Sequence, residues 1–299
     1  MVLRVVLLIC SLIATSVMAK SYEDILEQGQ IIIAVYNNFP PYSYLKDGEP
    51  AGVDIEVGKR IAAGLGVDLE WMWINADENL EDDLRNAIWK GHIITRQKAD
   101  LMLRVPYDRK FAYAIDGYGL PKNDLVVMFG PYQQESWALL RDHEKTNDIR
   151  TLAIFQYEPV AVELDSLPSF FLGATIGGRL RDKLVHVDSV FDGIKLLQEG
   201  EVAAVAGMKG QLQWGMSTSG NVNKTEFAPL PEQYDISADG LAAMSIKSWD
   251  IGMAVKTDYR ELAYAIQAIT EPMIKNGEME ALFLQYGLSY EIPDYHRTE

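Results

Sequence analysis

The sequence predicts an α/β protein of two lobes, each a mostly parallel sheet flanked by helices. Three observations carry that expectation. Short β-branched runs alternate with amphipathic stretches of helical period, the alternation restarts after Gly130, and a last strand-like run at 250–257 is read as returning to the first lobe. The chain would then cross between lobes near 127–131 and 247–251, which gives lobe 1 as 20–128 plus 251–293, lobe 2 as 129–250 and a tail at 294–299. With 299 residues, 48% of them apolar, the chain can fill two cores, which argues against a disordered or fibrous protein.

In chain order, a short amphipathic opener at 22–28 precedes IIIAVY, a continuous apolar run that reads as a strand and stops at the turn-rich NNFPPY. GVDIEVGKRIAAGLG (52–66) has helical apolar spacing and ends in glycines. VDLEWMWI (67–74) is a second strand, and NLEDDLRNAIWKG (79–91) a second helix with acidic residues where the macrodipole favours them. ADLMLRV (99–105) and DLVVMFG (124–130) are further strands. In the second unit, TLAIF (151–155) is expected to be a strand, PVAVELDSLPSFFLG (159–173) helical or partly so, and LVHV (184–187) a strand. SVFDGIKLLQEG (189–200) is an amphipathic helix stopped by Gly200, and VAAVAGM (202–208) a strand. After DIGMAVKT (250–257), the stretch 259–287 reads as a helix broken near Pro272, then another helix.

The N-terminus has the layout of a secretory leader. Arg4 precedes an apolar run over 5–17 that is too short to span a bilayer, and small residues lead to expected cleavage after Ala19. The leader would carry away Cys10, the one cysteine, leaving a mature chain without disulfides. Ile9 before Cys10 argues against lipid attachment. The formal charge is −16, and loss of Arg4 takes it to −17. Such a surface repels phosphate backbones and anionic lipid, so neither nucleic acid nor membrane insertion is expected, and the periplasm is the expected location.

FPPYSY followed by GVDIEVGKRIAAGLG, then RNAIWKG, ADLMLRV, DLVVMF, DGIKLLQEGEVAAVAG, IGMAVKTDYRELAYAI and NGEMEALFLQYG occur in an order and spacing that resembles the bacterial periplasmic solute-binding proteins of the amino-acid-binding family, family 3. The resemblance implies a type II periplasmic binding protein fold with two hinge crossings, closing on a small ligand and serving a permease of an ABC-type transporter. It also implies site residues. Phe39 matches the family's aromatic wall, with Tyr36 and Tyr42 beside it, and Trp73 ends a strand near the cleft. Arg109 matches the carboxylate-binding arginine, with Arg104 as a competitor and Tyr107 between them. Gln156, Tyr157 and Glu158 stand where relatives place a ligand-holding turn, and Gly207 and Met208 where relatives often have an aspartate for the ligand ammonium. These departures imply an atypical amino-acid site.

VPYDR (105–109) also resembles the divergent branch of the fold found beside periplasmic quinoprotein alcohol dehydrogenases, including methanol dehydrogenase. That branch implies an accessory or maturation partner of the dehydrogenase. A third resemblance, to cyclohexadienyl dehydratases, would pair Glu158 as acid/base with Arg109 as clamp. Nothing else points to catalysis, so no enzyme activity and no cofactor are expected. His92, His143, His186 and His296 lack metal-ligand spacing, the acidic run 77–83 surrounds a helix start, and TIGGRL (175–180) lacks phosphate-loop spacing.

Overall fold

The computed structural model describes residues 22–77, 79–147, 151–224 and 227–297. The expected leader, with Cys10 and the cleavage after Ala19, lies outside the described residues.

The chain opens with helix α1 (Tyr22–Gln28), strand β1 (Gln30–Tyr36), a small hairpin of β2 (Tyr44–Lys46) and β3 (Glu49–Ala51), and helix α2 (Val53–Leu65). Gly66 takes a left-handed conformation and stops α2, as glycine does at helix ends. Strand β4 (Asp68–Ile74) follows. Next come helix α3 (Leu80–Leu84), which runs into a π-helical turn at Arg85–Trp89, strand β5 (Leu101–Pro106) and the short helix α4 (Arg109–Ala112). Strands β1, β4 and β5 are parallel, with β1 in the middle, so their carboxyl ends share one edge of lobe 1.

Strand β6 (Val126–Asp142) is much longer than the sequence indicates. Gly130 reads as a break, yet it adopts φ +55° beside a register shift, and the strand continues through a local irregularity rather than ending. Up to Ser136 it pairs with β11 (Ser248–Lys256), and from Trp137 onward with the lobe 2 strand β9 (Ala204–Met208). The exchange of partners thus falls beyond the crossing read at 127–131.

Lobe 2 corrects two sequence readings. After helix α5 (His143–Thr146), TLAIF forms a 3-10 turn at Leu152–Gln156, and the strand is the next run, β7 (Val160–Glu163). A short apolar run does not distinguish these states by periodicity alone. Helix α6 (Leu167–Ala174) is confined to the second half of the stretch expected to be helical, capped by Ser166 with Pro168 in its first turn. Strand β8 (Leu184–Val187), helix α7 (Val190–Gln198), β9, helix α8 (Lys209–Thr218) and strand β10 (Tyr234–Ser237) complete the lobe. Strands β7, β8 and β9 are parallel, and β10 lines the other edge of β6.

Helix α9 (Arg260–Lys275) passes through Pro272 without breaking. It ends before Gly277, whose φ of +82° opens helix α10 (Glu278–Leu284). The last element among the described residues is helix α11 (Asp294–Arg297). This last segment forms a strap across both crossing strands. Tyr290 Oη donates to the Tyr132 carbonyl (2.9 Å), His296 Nε2 contacts the Pro131 carbonyl (2.9 Å), and the Asp294 and Tyr295 amides donate to the Asp250 carboxylate. The strap also holds lobe 2 through Lys209 and Glu291 (3.0 Å) and through Gln213 and Ser289.

Four apolar clusters sit on the two faces of each lobe's sheet. The largest, built on α2, β1, β5 and α9, also takes in Trp214 of α8, which meets Tyr44 edge-on at 5.8 Å. Lobe 2 is therefore packed against lobe 1 through apolar side chains and not through the two crossing strands alone.

Candidate solute-binding cleft

At the base of the cleft lies a buried polar network. Arg104 has φ +59° and no partner on β11, because Leu103 pairs with Met253 and Val105 with Gly252. It is the extra residue of a bulge, a device that re-aims a side chain. The guanidinium, 5% exposed, meets Asp54 of α2 through two bonds of 2.6 and 3.1 Å, and donates to Gln133 Oε1 at 2.7 Å. Its Cζ lies 3.3 Å from the centroid of the Tyr42 ring, a cation–π contact. Tyr132 Oη also donates to Asp54, at 2.8 Å, and Tyr42 Oη donates to the Glu135 carboxylate on β6.

Burial alone would lower the Arg104 pKa, but Asp54, followed by Tyr132 and Tyr42, outweighs it and holds the guanidinium charged. Burial and then Glu135 push the Tyr42 phenol well above its usual value, so it stays a donor. Gly210 of α8 leaves room for that phenol, since a Cβ there would run into Tyr42 Oη and lie 3.3 Å from Glu135 Oε2. Tyr42 thus joins lobe 1 to a crossing strand and touches lobe 2.

Above this network is a cavity of about 350 Å³ at the carboxyl ends of β7, β8 and β9. The lobe 1 loop at Phe39 forms one wall, and Glu163, Ser189, Phe191, Met208, Gln211 and Trp214 of lobe 2 form the other. Gln211 Nε2 donates to the Pro40 carbonyl at 3.4 Å, so the cavity is closed on one side by a contact between lobes.

Glu163 ends β7 as an exposed residue whose carboxyl is partly shielded by the surrounding protein. Desolvation by the surrounding protein pushes its carboxyl above the ordinary glutamate value, and no charged neighbour contributes. The folded chain therefore holds this proton more tightly than the unfolded chain. Stability is expected to fall as pH rises from about 4.3, the ordinary glutamate value, to the raised one. Glu163→Gln should flatten that part of a pH–stability curve measured by urea unfolding, and an unchanged slope would rule out Glu163 as the source.

The structure distributes the sequence-derived site residues over several places. Phe39 and Met208 share the cavity, and Tyr42 and Arg104 share the buried network. Tyr36 turns toward α3 and donates to Asp83 at 2.7 Å, while Trp73 packs against the main core. Tyr107 lines a separate groove of about 720 Å³ along the crossing strands, where Trp137 and Trp249 stand 4.9 Å apart. Arg109 is exposed at the start of α4, close to Tyr107, and is not among the residues lining the cavity.

Gln156, Tyr157 and Glu158 precede the amino end of β7, opposite the end that carries the cavity. The cause is the misplaced strand: with β7 at Val160–Glu163, the turn that faces lobe 1 is 163–167. Glu158 and Arg109 consequently do not form an acid/base and clamp pair. Asp54 and Glu135 in the network, and Glu163, Gln211 and Trp214 in the cavity, are not singled out by the sequence patterns above. An acidic residue closing the VAVE run was the available signal for Glu163, but it was hidden by the helical reading of 159–173. Among the described residues no group of three or more His, Cys, Asp or Glu side chains is placed to hold a metal ion, and no helix is long and apolar enough to cross a membrane.

The family model of the bacterial extracellular solute-binding proteins, family 3, matches residues 31–289. The chain belongs to that family. Its fold is shared by an ancestral cationic amino acid solute-binding protein (TM-score 0.66, 14% identity, 89% of this chain and 99% of that one). It is also shared by a polar amino acid transporter substrate-binding protein from Streptococcus thermophilus (TM-score 0.62, 15% identity, 96% of each chain). An L-arginine-bound amino acid transporter protein from Streptococcus pneumoniae gives a TM-score of 0.59 at 15% identity, over 91% of this chain and 100% of that one.

Among curated proteins, the membrane-bound lytic murein transglycosylase F of Actinobacillus succinogenes is 29% identical over 123 residues, 41% of this chain. The match spans about a fifth of that relative's length, 21%. The cavity beside Phe39 lies at the carboxyl ends of β7, β8 and β9 and next to the loop that follows β1, where open α/β sheets bind their ligands.

Proposed function

We propose that the protein is a periplasmic solute receptor that captures a small polar molecule between its lobes and presents it to the permease of an ABC-type transporter. The observation that carries this reading is the cavity walled by Phe39 from lobe 1 and by Glu163, Met208, Gln211 and Trp214 from lobe 2. A ligand touching both walls stabilises the closed arrangement, and only such a ligand shifts the population toward it. At about 350 Å³ the cavity lies at the small end of ligand sites. The solved relatives named as amino acid transporter substrate-binding proteins support a small polar cargo.

The test is a thermal-shift and calorimetric screen with amino acids, dicarboxylates, polyamines and sugars. A true ligand at about 100 times its Kd adds roughly 2.7 kcal/mol, a rise of several degrees in Tm for a chain of this size. If no compound in the screen shifts Tm, the receptor reading fails, and an accessory role beside a periplasmic quinoprotein dehydrogenase takes its place.

A further inference from the structure

The chemistry of the interlobe cavity narrows the solute, on the premise that the receptor reading above holds. Three aromatic side chains, Phe39, Phe191 and Trp214, line it, and Glu163 is the one ionisable side chain among its described lining residues. No ion pair to the Glu163 carboxyl occurs among the described residues, and desolvation is the sole cause of its shifted proton affinity. Aromatic faces around a carboxylate attract a cation through ring quadrupole and charge together.

The indole N–H of Trp214 has no hydrogen-bond partner among the described residues and could serve a neutral acceptor, but the cationic groups that would hold an anion are engaged or lie outside the cavity. Arg104 is taken up by Asp54, Gln133 and the Tyr42 ring, and Arg109 lies outside the cavity. The amino ends of α7 and α8 also reach the cavity, and a helix amino end favours negative charge. Each already faces a carboxylate of the protein. Asp192 stands in the first turn of α7 and accepts from Ser189 Oγ at 2.6 Å, and Glu135 lies 3.3 Å from where a Cβ on Gly210 would stand in the first turn of α8.

We propose that this cavity takes a small organic cation, an ammonium or guanidinium compound without a free carboxylate, with Glu163 as its counter-ion and Phe39, Phe191 and Trp214 as its aromatic walls. A carboxylate on the solute would find no free cation in the cavity to replace the water it leaves.

The experiment is calorimetric titration of the full chain with matched pairs that differ by a carboxylate: putrescine against ornithine, agmatine against arginine, and choline against glycine betaine. Glucose, glutamate and glutamine serve as neutral, anionic and zwitterionic probes. The expected result is that at least one cation binds ten-fold or more tightly than its carboxylated partner, and that Glu163→Gln weakens it ten-fold or more while urea unfolding stays cooperative. Equal or tighter binding of the carboxylated partners, binding by the other probes alone, or unchanged affinity in Glu163→Gln overturns the cation assignment and leaves the receptor reading standing. Silence from every probe in this set overturns both.

Discussion

Asp54→Ala is expected to destabilise the protein by about 3–5 kcal/mol, because it leaves the Arg104 guanidinium buried without its counter-charge. Gln133 and the Tyr42 ring remain beside it, but neither carries a negative charge, and Tyr132 Oη loses its acceptor as well. Urea unfolding at constant m-value measures the loss. The paired change Asp54→Leu with Arg104→Met, which removes both charges, should recover most of it, since apolar replacements of buried pairs are often neutral. A loss below about 1 kcal/mol in the single variant would mean that water reaches Arg104 and that the network is not the buried unit described above.

Gly210→Ala is expected to force the lobes apart. The new Cβ would collide with the Tyr42 phenol, and Tyr42 is fully buried with its hydroxyl held by Glu135, so the phenol has no free volume to retreat into. Overpacking of this kind costs about 1–3 kcal/mol. Here the strain lies between a lobe 1 loop and a lobe 2 helix, so its relief is rigid-body opening and not disorder of either core. Small-angle scattering should show a larger radius of gyration for the variant, and adding Tyr42→Phe should restore the compact value by removing the colliding oxygen. If Gly210→Ala scatters as the parent does, α8 accommodates the methyl locally and Tyr42 does not set the distance between the lobes.

Much of the fold was legible because its signals are local. IIIAVY is rich in β-branched residues and stops at a turn-rich loop, which together favour a buried strand, and the glycines after α2 and α7 end helices where φ turns positive, at Gly66 (φ +72°) and Gly200 (φ +77°). The errors have equally local causes. TLAIF and PVAVE are adjacent apolar runs of similar length, and tertiary pairing with β8 and β9 selects the second. The long β6 was hidden because Gly130 and Pro131 look like an ending, whereas a strand that changes partners midway accommodates a bend there.

The site was less legible for a different reason. Arg104 and Arg109 stand five positions apart, and what separates a buried guanidinium from an exposed one is Asp54, fifty residues earlier in the chain. No spacing rule links those two positions. Arg109 is the best match to the family's clamp although the glycine and threonine usual before it are missing, and the bulge at Arg104 turned the other arginine inward and bound it to the protein's own carboxylate.

The return of β11 to lobe 1 imposes an order on assembly. Lobe 2 is one uninterrupted stretch between the two crossing strands, so its parallel strands can find one another while the rest of the chain is still being made. Lobe 1 has to wait. Its β5 edge stays unpaired until β11 arrives from the far side of lobe 2, and the strap that ties both lobes together follows later still. A nascent chain therefore carries an open strand edge and an unfastened hinge until all of lobe 2 has been made, and such an edge invites pairing with other chains until β11 covers it.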